Sequence, residues 1–476
     1  LGSWWQRAIS SFLMPSQPVV QSTSTPQLVQ LYRVNSKQFP RERVSSESLA
    51  PAVLLPWAIA HHSSVKRYAL VAMGVVCALS LAACGTSDNT SGQSAGPNPT
   101  PLRTCGALAG VNNSTITLGV VFPKTGPAAS TFENFGIAAQ LRVNEINAKG
   151  GVNGRRLVLN TYDDRNDAKT QSAVAEQALE DGVFGILAAS QQQSMYPALK
   201  QANIPVAGVP NLPPYATDLN VFGVYGAYST GYTSTASAQR LRAIKASSIA
   251  TVTLKSPGAL SSARGFVSTL SSQTLKPALP IQVLATADSS TAVIAAKIKK
   301  SGADAVNVIS LVESGIALAR SLKSQGGKKV TVLVNGLIDP ATVIATDGVL
   351  DGAVGAPYGF VPLQLNTPEV KRYVAGMAAA GVNPYSDFAP LGYIAADLMI
   401  AGLTSAGQCP TPEDFIRIQR GVTDYTGGNL LPGRISFAPG VTPDGDPAKC
   451  TWFVTIRGES VLPDTGPTCG QLVKVQ

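Results

Sequence analysis

From residue 115 onward, short apolar runs alternate along the chain with segments that repeat apolar residues at helical spacing. The runs 116–121 and 157–162, for example, flank a segment in which Phe135, Ala138 and Leu141 share one helical face. Continuous apolar strands between helices indicate parallel sheets that are covered on both faces. Because this part is too long for one such set of layers, we predict an α/β fold with two lobes. Further strands are predicted at 184–188, 204–209, 249–254, 281–285, 305–309 and 330–334, and helices at 191–202, 263–275 and 314–325.

The segment Leu81-Ala82-Ala83-Cys84 closes an apolar run that follows Lys66 and Arg67. A basic start, a short apolar core and small residues before a cut are typical of a secretory signal. The run is shorter than the roughly 20 residues that cross a hydrocarbon core. A cysteine at the cleavage position resembles the lipobox of a bacterial lipoprotein, in which the thiol carries the lipid. A buried helix with an incidental cysteine is the alternative.

These features predict how the first part of the chain is organised. We expect 65–83 to be a lipoprotein signal peptide and Cys84 to be lipidated. The Gly, Ser and Pro that follow favour a flexible tether over 84–114. Because an export signal belongs at the start of a chain, we expect 1–64 to be either a non-native upstream sequence or a disordered extension.

Processing at Cys84 would change the charge and the available chemistry. Residues 1–83 hold seven of the 37 Lys and Arg residues, two of the 28 Asp and Glu residues, and both histidines, His61 and His62. The net charge would fall from +9 to +4, which does not favour a nucleic-acid partner. A chain without histidine cannot use Ser-His-Asp or Cys-His catalysis or imidazole metal ligands. We therefore expect no enzymatic activity, no cofactor and no metal.

Four cysteines remain beyond Cys84, namely Cys105, Cys409, Cys450 and Cys469. An even number in an exported protein predicts two disulfides. Three connectivities are possible, and the spacings match no zinc-binding pattern.

Several motifs in the alternating region resemble one family. The sequences ITLGVVFPKTGP at 116–127, NEINAKGGVNGR at 144–155 and Tyr162-Asp163-Asp164 resemble the type I periplasmic binding proteins. Within them, the branched-chain amino-acid and amide substrate-binding proteins of ABC importers are the most similar. Weaker matches at 202–206, 302–305 and 390–396 follow in the same order, so the resemblance covers about 115–465.

The resemblance implies two doubly wound lobes with parallel sheets, joined by a three-crossing hinge, with the ligand between them. Lobe one would hold 115–231 and 357–432, and lobe two would hold 232–356 and 433–476. Cys105 and Cys409 then flank lobe one, while Cys450 and Cys469 both belong to lobe two. The expected pairing is therefore Cys105–Cys409 and Cys450–Cys469, since a bridge across the hinge would oppose closure.

The resemblance also implies ligand-binding residues. Ser190 follows the strand 184–188, where the family places a hydroxyl that binds the ligand carboxylate, and Gln191 and Gln192 come next. Backbone N–H groups at a helix start favour an anion in this position. Capping of the helix by Ser190 is the alternative.

Six further residues are expected to contact the ligand. Packing is an equally good account of Tyr225, and helix-dipole stabilisation is an equally good account of Glu313. The six are Thr125 in the first cleft loop, Gly208 and Asn211 after the next strand, Tyr225 before the first crossing, Glu313 as an acid for an ammonium group, and Tyr358 near the second crossing.

Taken as a family member, the chain would be a monomeric, lipid-anchored protein on the extracytoplasmic side of the cell membrane. It would capture an amino acid, an amide or a small organic acid and deliver it to an ABC permease and its ATPase. A ligand-sensing module of a membrane signalling system is the alternative. An esterase on the same scaffold is disfavoured, because no Gly-x-Ser-x-Gly elbow with a histidine partner is present.

Overall fold

A computed structural model describes residues 103–126, 128–285, 291–386 and 388–476. The expected extension 1–64, the signal peptide 65–83 and Cys84 lie outside the described residues. The first part contains, in chain order, β1 (Thr115–Phe122), α1 (Ala129–Asn147), β2 (Arg156–Asp163), α2 (Ala168–Glu180), β3 (Gly185–Ala188), α3 (Tyr196–Gln201), β4 (Val206–Gly208), α4 (Pro214–Thr217) and β5 (Val221–Gly223). The next contains β6 (Tyr232–Ser234), α5 (Ala236–Ala243), β7 (Ser248–Leu254), α6 (Pro257–Leu270), β8 (Lys276–Pro277), β9 (Gln282–Leu284), α7 (Thr291–Ser301), β10 (Ala305–Ile309), α8 (Val312–Ser324), β11 (Thr331–Asn335), α9 (Pro340–Ile344) and β12 (Val354–Ala356). The last contains α10 (Pro368–Ala379), α11 (Ala389–Ala406), α12 (Pro412–Arg420), β13 (Cys450–Thr451), β14 (Val454–Arg457), β15 (Ser460–Pro463), β16 (Thr468–Cys469) and β17 (Leu472–Lys474).

The first sheet is parallel throughout and has the strand order β2-β1-β3-β4-β5. Apolar residues dominate β1 and β3, and all four residues of β3 are buried, as expected for strands covered on both faces. Lobe one denotes this sheet and the helices packed on it. Its strand order reverses direction between β1 and β3. Open parallel sheets bind ligands at such a reversal point.

The second sheet has the order β15-β14-β12-β11-β10-β7-β8, and β9 also pairs with β7. The strands β7 to β12 are parallel, but β14 and β15 join by antiparallel pairing. The expected parallel sheet is thus confirmed for β7 to β12, and a hairpin from the end of the chain covers β12 by antiparallel pairing. Lobe two denotes this sheet and its helices, and its order reverses between β7 and β10.

Two helices begin at places other than those predicted. A helix is predicted over 191–202, but α3 starts at Tyr196, because the backbone N–H of Gln191 is bonded to the Asn166 side chain instead. A helix is predicted over 263–275, but α6 starts at Pro257, where the Ser256 hydroxyl accepts a hydrogen bond from the Ala259 N–H. Proline at the first helical position after a serine cap is a strong start signal.

The core of lobe one is organised around α11. Among the described residues it is the one helix long and apolar enough to cross a membrane, yet 72% of it is buried inside the protein. It lies against α1 at Gly392, where any Cβ would collide with the Phe135 carbonyl. Glycine at this position therefore allows the two helices to approach closely.

Three connections run side by side between the lobes. The ring of Tyr225, in the first connection, packs on Gly359 in the second, where no Cβ would fit. The N–H of Ala227 donates to the carbonyl of Asp446 in the third connection at 3.0 Å. These contacts fit the three-crossing hinge that the resemblance implies. The strands of each sheet fall inside the ranges expected for the two lobes, whose boundaries stay a prediction.

The described residues contain two disulfides, Cys105–Cys409 and Cys450–Cys469, with the expected pairing. Beside the first, the fully buried Arg155 guanidinium donates to the carbonyls of Arg103 and Gln408 at 2.7 and 2.6 Å. Residues 103–114, which were expected to belong to the flexible tether, are therefore attached to lobe one.

Candidate functional site

The loops that follow β1, β3 and β4 lie at one edge of the first sheet, because parallel strands end on the same side. The loop after β1 contains Thr125. Its hydroxyl donates to Asp163 Oδ2 at 2.5 Å, and the N–H groups of Lys124 and Thr125 donate to Asp163 Oδ1. Burial opposes ionisation of Asp163, but these bonds and one from the Arg165 N–H hold its pKa below the usual value. The Thr125 hydroxyl is thus already used to fix the loop.

Gln191 and Gln192 are also bonded within lobe one. Asn166 donates to Gln191 Oε1 at 3.1 Å and accepts from the Gln191 N–H, and Gln192 Nε2 donates to the Asn166 carbonyl at 2.9 Å. The two amides therefore tie the loop after β3 to the loop after β2.

A buried network holds the far end of the same loop. Asp164 and Gln171 are both 0% exposed, and Gln171 Nε2 donates to Asp164 Oδ2 at 2.9 Å. Gln171 Oε1 accepts from the Met195 N–H at 3.2 Å. The loop 189–195 is consequently bonded at both ends, which is the preorganisation that a binding loop needs.

Ser190 and Asn211 meet at the end of β3. The Ser190 hydroxyl is buried and accepts the N–H of Gln192 at 3.2 Å, but it does not cap α3, because that helix starts at Tyr196. Its own O–H donates to none of the described residues. Asn211 Nδ2 donates to the Ser190 carbonyl at 3.1 Å, while its buried Oδ1 accepts no hydrogen bond in the described structure. The Ser190 O–H donor and the Asn211 Oδ1 acceptor are therefore both left able to form a hydrogen bond.

Gly208 and Tyr225 have mainly packing roles. A Cβ at Gly208 would collide with the Ala188 carbonyl and the Tyr215 hydroxyl, so only glycine fits. The Gly208 carbonyl accepts the Val224 N–H at 2.9 Å. Tyr225 lies at the hinge, where burial raises its pKa to about 12.

A cavity of about 210 Å³ lies between the lobes and is lined from both sides. Lobe two contributes Glu313, at the β7/β10 reversal point, and Asp339, and no Lys or Arg among the described residues lines the cavity. Glu313 is exposed and has no hydrogen bond or ion pair with any described residue. The other polar lining residues are Ser130, Thr131, Thr342, Asn383, Tyr385 and Ser386.

Asp339 is partly committed to its own surroundings. It caps α9 by accepting the Ala341 N–H at 3.0 Å and also accepts from the Thr342 hydroxyl at 3.1 Å. Asn383 Nδ2 reaches it from lobe one at 3.4 Å. Asp339 therefore supplies negative charge to the cavity and a contact between the lobes.

Tyr358 lies at the edge of this region. Its ring stacks on that of Phe388 with the centroids 6.0 Å apart. It also covers Gly336, where a Cβ would come within 2.8 Å of the tyrosine ring. Because Gly336 lines the cavity, Tyr358 lies directly behind this part of the cavity wall.

Of the nine predicted ligand-binding residues, Glu313 lines the interlobe cavity, and Ser190 and Asn211 form a separate pair in lobe one. The sequence reasoning missed Asp339, which follows the strand after that of Glu313 and could have been found by the same rule. It also missed Asn383 and Tyr385, which lie in a helix–helix connection that strand-end reasoning does not reach. No cluster of three or more potential metal ligands occurs in the described residues.

Comparisons with known proteins agree with this architecture. The Leu/Ile/Val-binding protein BraC3 of Rhizobium johnstonii is 25% identical over 329 residues, which is 64% of this chain and 84% of the relative. A branched-chain amino acid ABC transporter structure from Thermus thermophilus with bound valine has a TM-score of 0.61 and 14% identity, covering 75% of this chain and 96% of that one. A solute-binding protein from R. palustris in complex with benzoate has a TM-score of 0.58 and 15% identity, covering 75% and 97%.

The sequence profile of the family described as periplasmic binding protein matches residues 115–460. The resemblance is thereby confirmed over most of the chain. Members of the family bind solutes outside the cytoplasm and are not enzymes. This chain belongs to the periplasmic binding protein family.

Proposed function

We propose that this chain is an extracytoplasmic lipoprotein that captures an amino acid between its lobes and delivers it to an ABC permease and its ATPase. The observation that carries the proposal is the interlobe cavity of about 210 Å³, whose lining comes from both lobes. A ligand there contacts both lobes at once, so it stabilises the closed arrangement by its differential contacts.

The charge of the cavity supports a ligand with an ammonium group. Glu313 and Asp339 line it, and no basic residue among those described does so. A carboxylate alone would meet like charge there, which favours an amino acid over a simple organic acid. Glu313 is the better partner for the ammonium group, because Asp339 already accepts three hydrogen bonds.

The loop after β3 supports binding of the carboxylate. The Ser190 O–H has no acceptor among the described residues, and Asn211 Oδ1 is a buried acceptor without a donor. A carboxylate that accepts from Ser190 and a donor that satisfies Asn211 would complete this pair. Thr125, Gln191 and Gln192 would act by shaping the loops, because their side chains already bond within lobe one.

Names of related proteins support the same class of ligand. A relative from Rhizobium johnstonii is named for leucine, isoleucine and valine, and a structure of the same fold holds valine. Another structure of this fold holds benzoate, which lacks an ammonium group. The acidic lining at Glu313 and Asp339 favours the amino-acid alternative. Lipidation at Cys84 would hold the protein at the membrane beside its permease. The protein would act there as a monomer.

The test is isothermal titration of the purified full-length chain with the aliphatic amino acids, their amides and benzoate. We expect heat from an amino acid and at least about tenfold weaker binding by the Glu313→Gln variant, since the charge that pairs with the ammonium group is lost. Glu413→Gln is the matched control, because Glu413 also lies in the first turn of a helix but outside the cavity. Binding of benzoate without any amino acid, or equal affinities of both variants, would refute the proposal.

A further inference from the structure

Lobe two contains a second cavity, of about 320 Å³, which shares no lining residue with the interlobe cavity. It is lined by Val330 and Thr331 at the start of β11 and by the loop 348–353 before β12. Because parallel strands begin at one edge and end at the other, it opens at the edge opposite the interlobe cavity. We propose that this cavity, the lysine basin, is a second small-molecule site that binds an amphipathic carboxylate.

The floor of the lysine basin is apolar. Six buried side chains form it, each no more than 8% exposed. A volume of this size is at the lower end of the range of small-molecule pockets, about 300–1,000 Å³. An apolar ligand body seated there would move its own apolar surface out of water. The six are Ala319, Leu322, Val330, Val332, Leu350 and Ala353.

The rim of the basin is basic. Lys299, Lys323 and Lys329 line it, and Asp351 is the one acidic lining residue in the described part of the chain. Lys299 Nζ donates to the carbonyls of Gly326 and Lys328 at 2.5 and 2.7 Å, so its charge is held in place.

The other two rim lysines remain able to bind an anion. Lys329 pairs with Asp351 only at 3.7 Å, and a Cβ at Gly352 would come within 2.7 Å of its ammonium group. Glycine at 352 therefore leaves room for that ammonium group at the mouth of the basin. Lys323 is exposed and forms no ion pair with a described residue. The combination of an apolar floor and a cationic rim matches a ligand with an apolar body and one carboxylate.

The test is methyl NMR of the full-length chain titrated with octanoate. We expect shifts of the methyl signals of Leu322, Val330 and Leu350, which report on the basin separately from those of Val312 and Leu337 in the interlobe cavity. Acetate lacks the apolar body and octan-1-ol lacks the charge, so each should bind at least about tenfold more weakly. Absence of shifts at the basin methyls up to millimolar octanoate would overturn the proposal.

Charge reversal tests the rim. The Lys323→Glu/Lys329→Glu variant should bind octanoate about tenfold more weakly, and added salt should weaken the wild-type affinity. Lys297→Glu is the control, because Lys297 is exposed on α7 of the same lobe but does not line the basin. Equal losses of octanoate affinity in the rim variant and in Lys297→Glu would mean that the overall charge of the lobe, and not the basin, controls binding. That result would refute the site. Co-sedimentation with anionic vesicles, without basin shifts from octanoate, would point to a lipid surface and overturn the small-molecule assignment.

The lysine basin and the proposed amino-acid site can fail separately. Amino-acid binding is expected to shift signals at the interlobe cavity only, and the rim variants should leave it unchanged. A chain that binds octanoate but no amino acid would support the basin and refute the proposed function.

Discussion

Replacement of Asp444 by Asn is expected to raise the unfolding free energy relative to that of the wild type as the pH increases from acidic to neutral. Asp444 is 3% exposed, and its carboxylate lies 3.2 Å from the Arg420 guanidinium. Its Oδ2 accepts the Asp218 N–H at 3.1 Å, and Lys200 pairs with Asp218 beside it. Burial raises the pKa of Asp444 from 3.8 to about 6, although the Arg420 charge opposes this. Burial also lowers the pKa of Arg420.

The sign follows from proton binding. Between pH 3.8 and about 6 the folded state keeps the Asp444 proton that the unfolded state has lost, so stability falls as pH rises through that interval. The difference between the two pKa values corresponds to about 3 kcal/mol. Asn does not titrate. Between pH 4 and pH 7 the unfolding free energy of the Asp444→Asn variant should therefore rise relative to that of the wild type by up to this amount.

Urea unfolding of both proteins at several pH values measures the difference. Asp351→Asn is the control of opposite sign, because the pKa of Asp351 is lowered, chiefly by a hydrogen bond from the Gly458 N–H. If Asp444→Asn instead lost stability relative to the wild type as pH rises, attraction to Arg420 would outweigh desolvation. That result would refute the reasoning.

Three further predictions concern the fold and the site. Removing the Cys105–Cys409 disulfide, which closes a loop of 304 residues, should lower the unfolding free energy by up to about 6 kcal/mol in non-reducing buffer, more than removing the disulfide whose cysteines are 19 residues apart. Gly392→Ala should lower the melting temperature, while Gly258→Ala, with open space around it, should not; equal effects would contradict the close α1–α11 approach. Asn211→Ala should weaken amino-acid binding about tenfold in titration calorimetry and, because the bond to the Ser190 carbonyl is also lost, lower the melting temperature by a few degrees at most; unchanged affinity would remove Asn211 from the site.

The alternation of strands and helices could be predicted because local periodicity encodes it. The strand predicted at 116–121 is Thr115–Phe122 in the structure, and the strand predicted at 305–309 is Ala305–Ile309. The residues at which α3 and α6 begin were predicted less well. At α3 the competing bonds come from Asn166, which lies about 25 residues earlier in the chain.

The antiparallel hairpin of β14 and β15 escaped prediction for a similar reason. These strands carry only four residues each, and their burial depends on pairing with β12, about 100 residues earlier. Short strands with mixed polarity have weak periodicity. Their place in the sheet is decided by a distant partner that the local pattern does not reveal.

The candidate site was harder to predict than the fold, because the fold itself uses several of the polar side chains that follow strands. Polar residues after a strand were expected to face a ligand, but Thr125 and Gln192 are bonded to other loops of lobe one. Those bonds hold the loops in one arrangement before any ligand arrives, which lowers the entropy cost of binding. Under the proposed function, recognition would fall to groups with bonding capacity left over, namely the Ser190 O–H, Asn211 Oδ1 and the Glu313 carboxylate. A hydroxyl donor, an amide acceptor and an anion together match the carboxylate and ammonium of an amino acid, and not a benzoate, which would leave the acceptor and the anion without a partner.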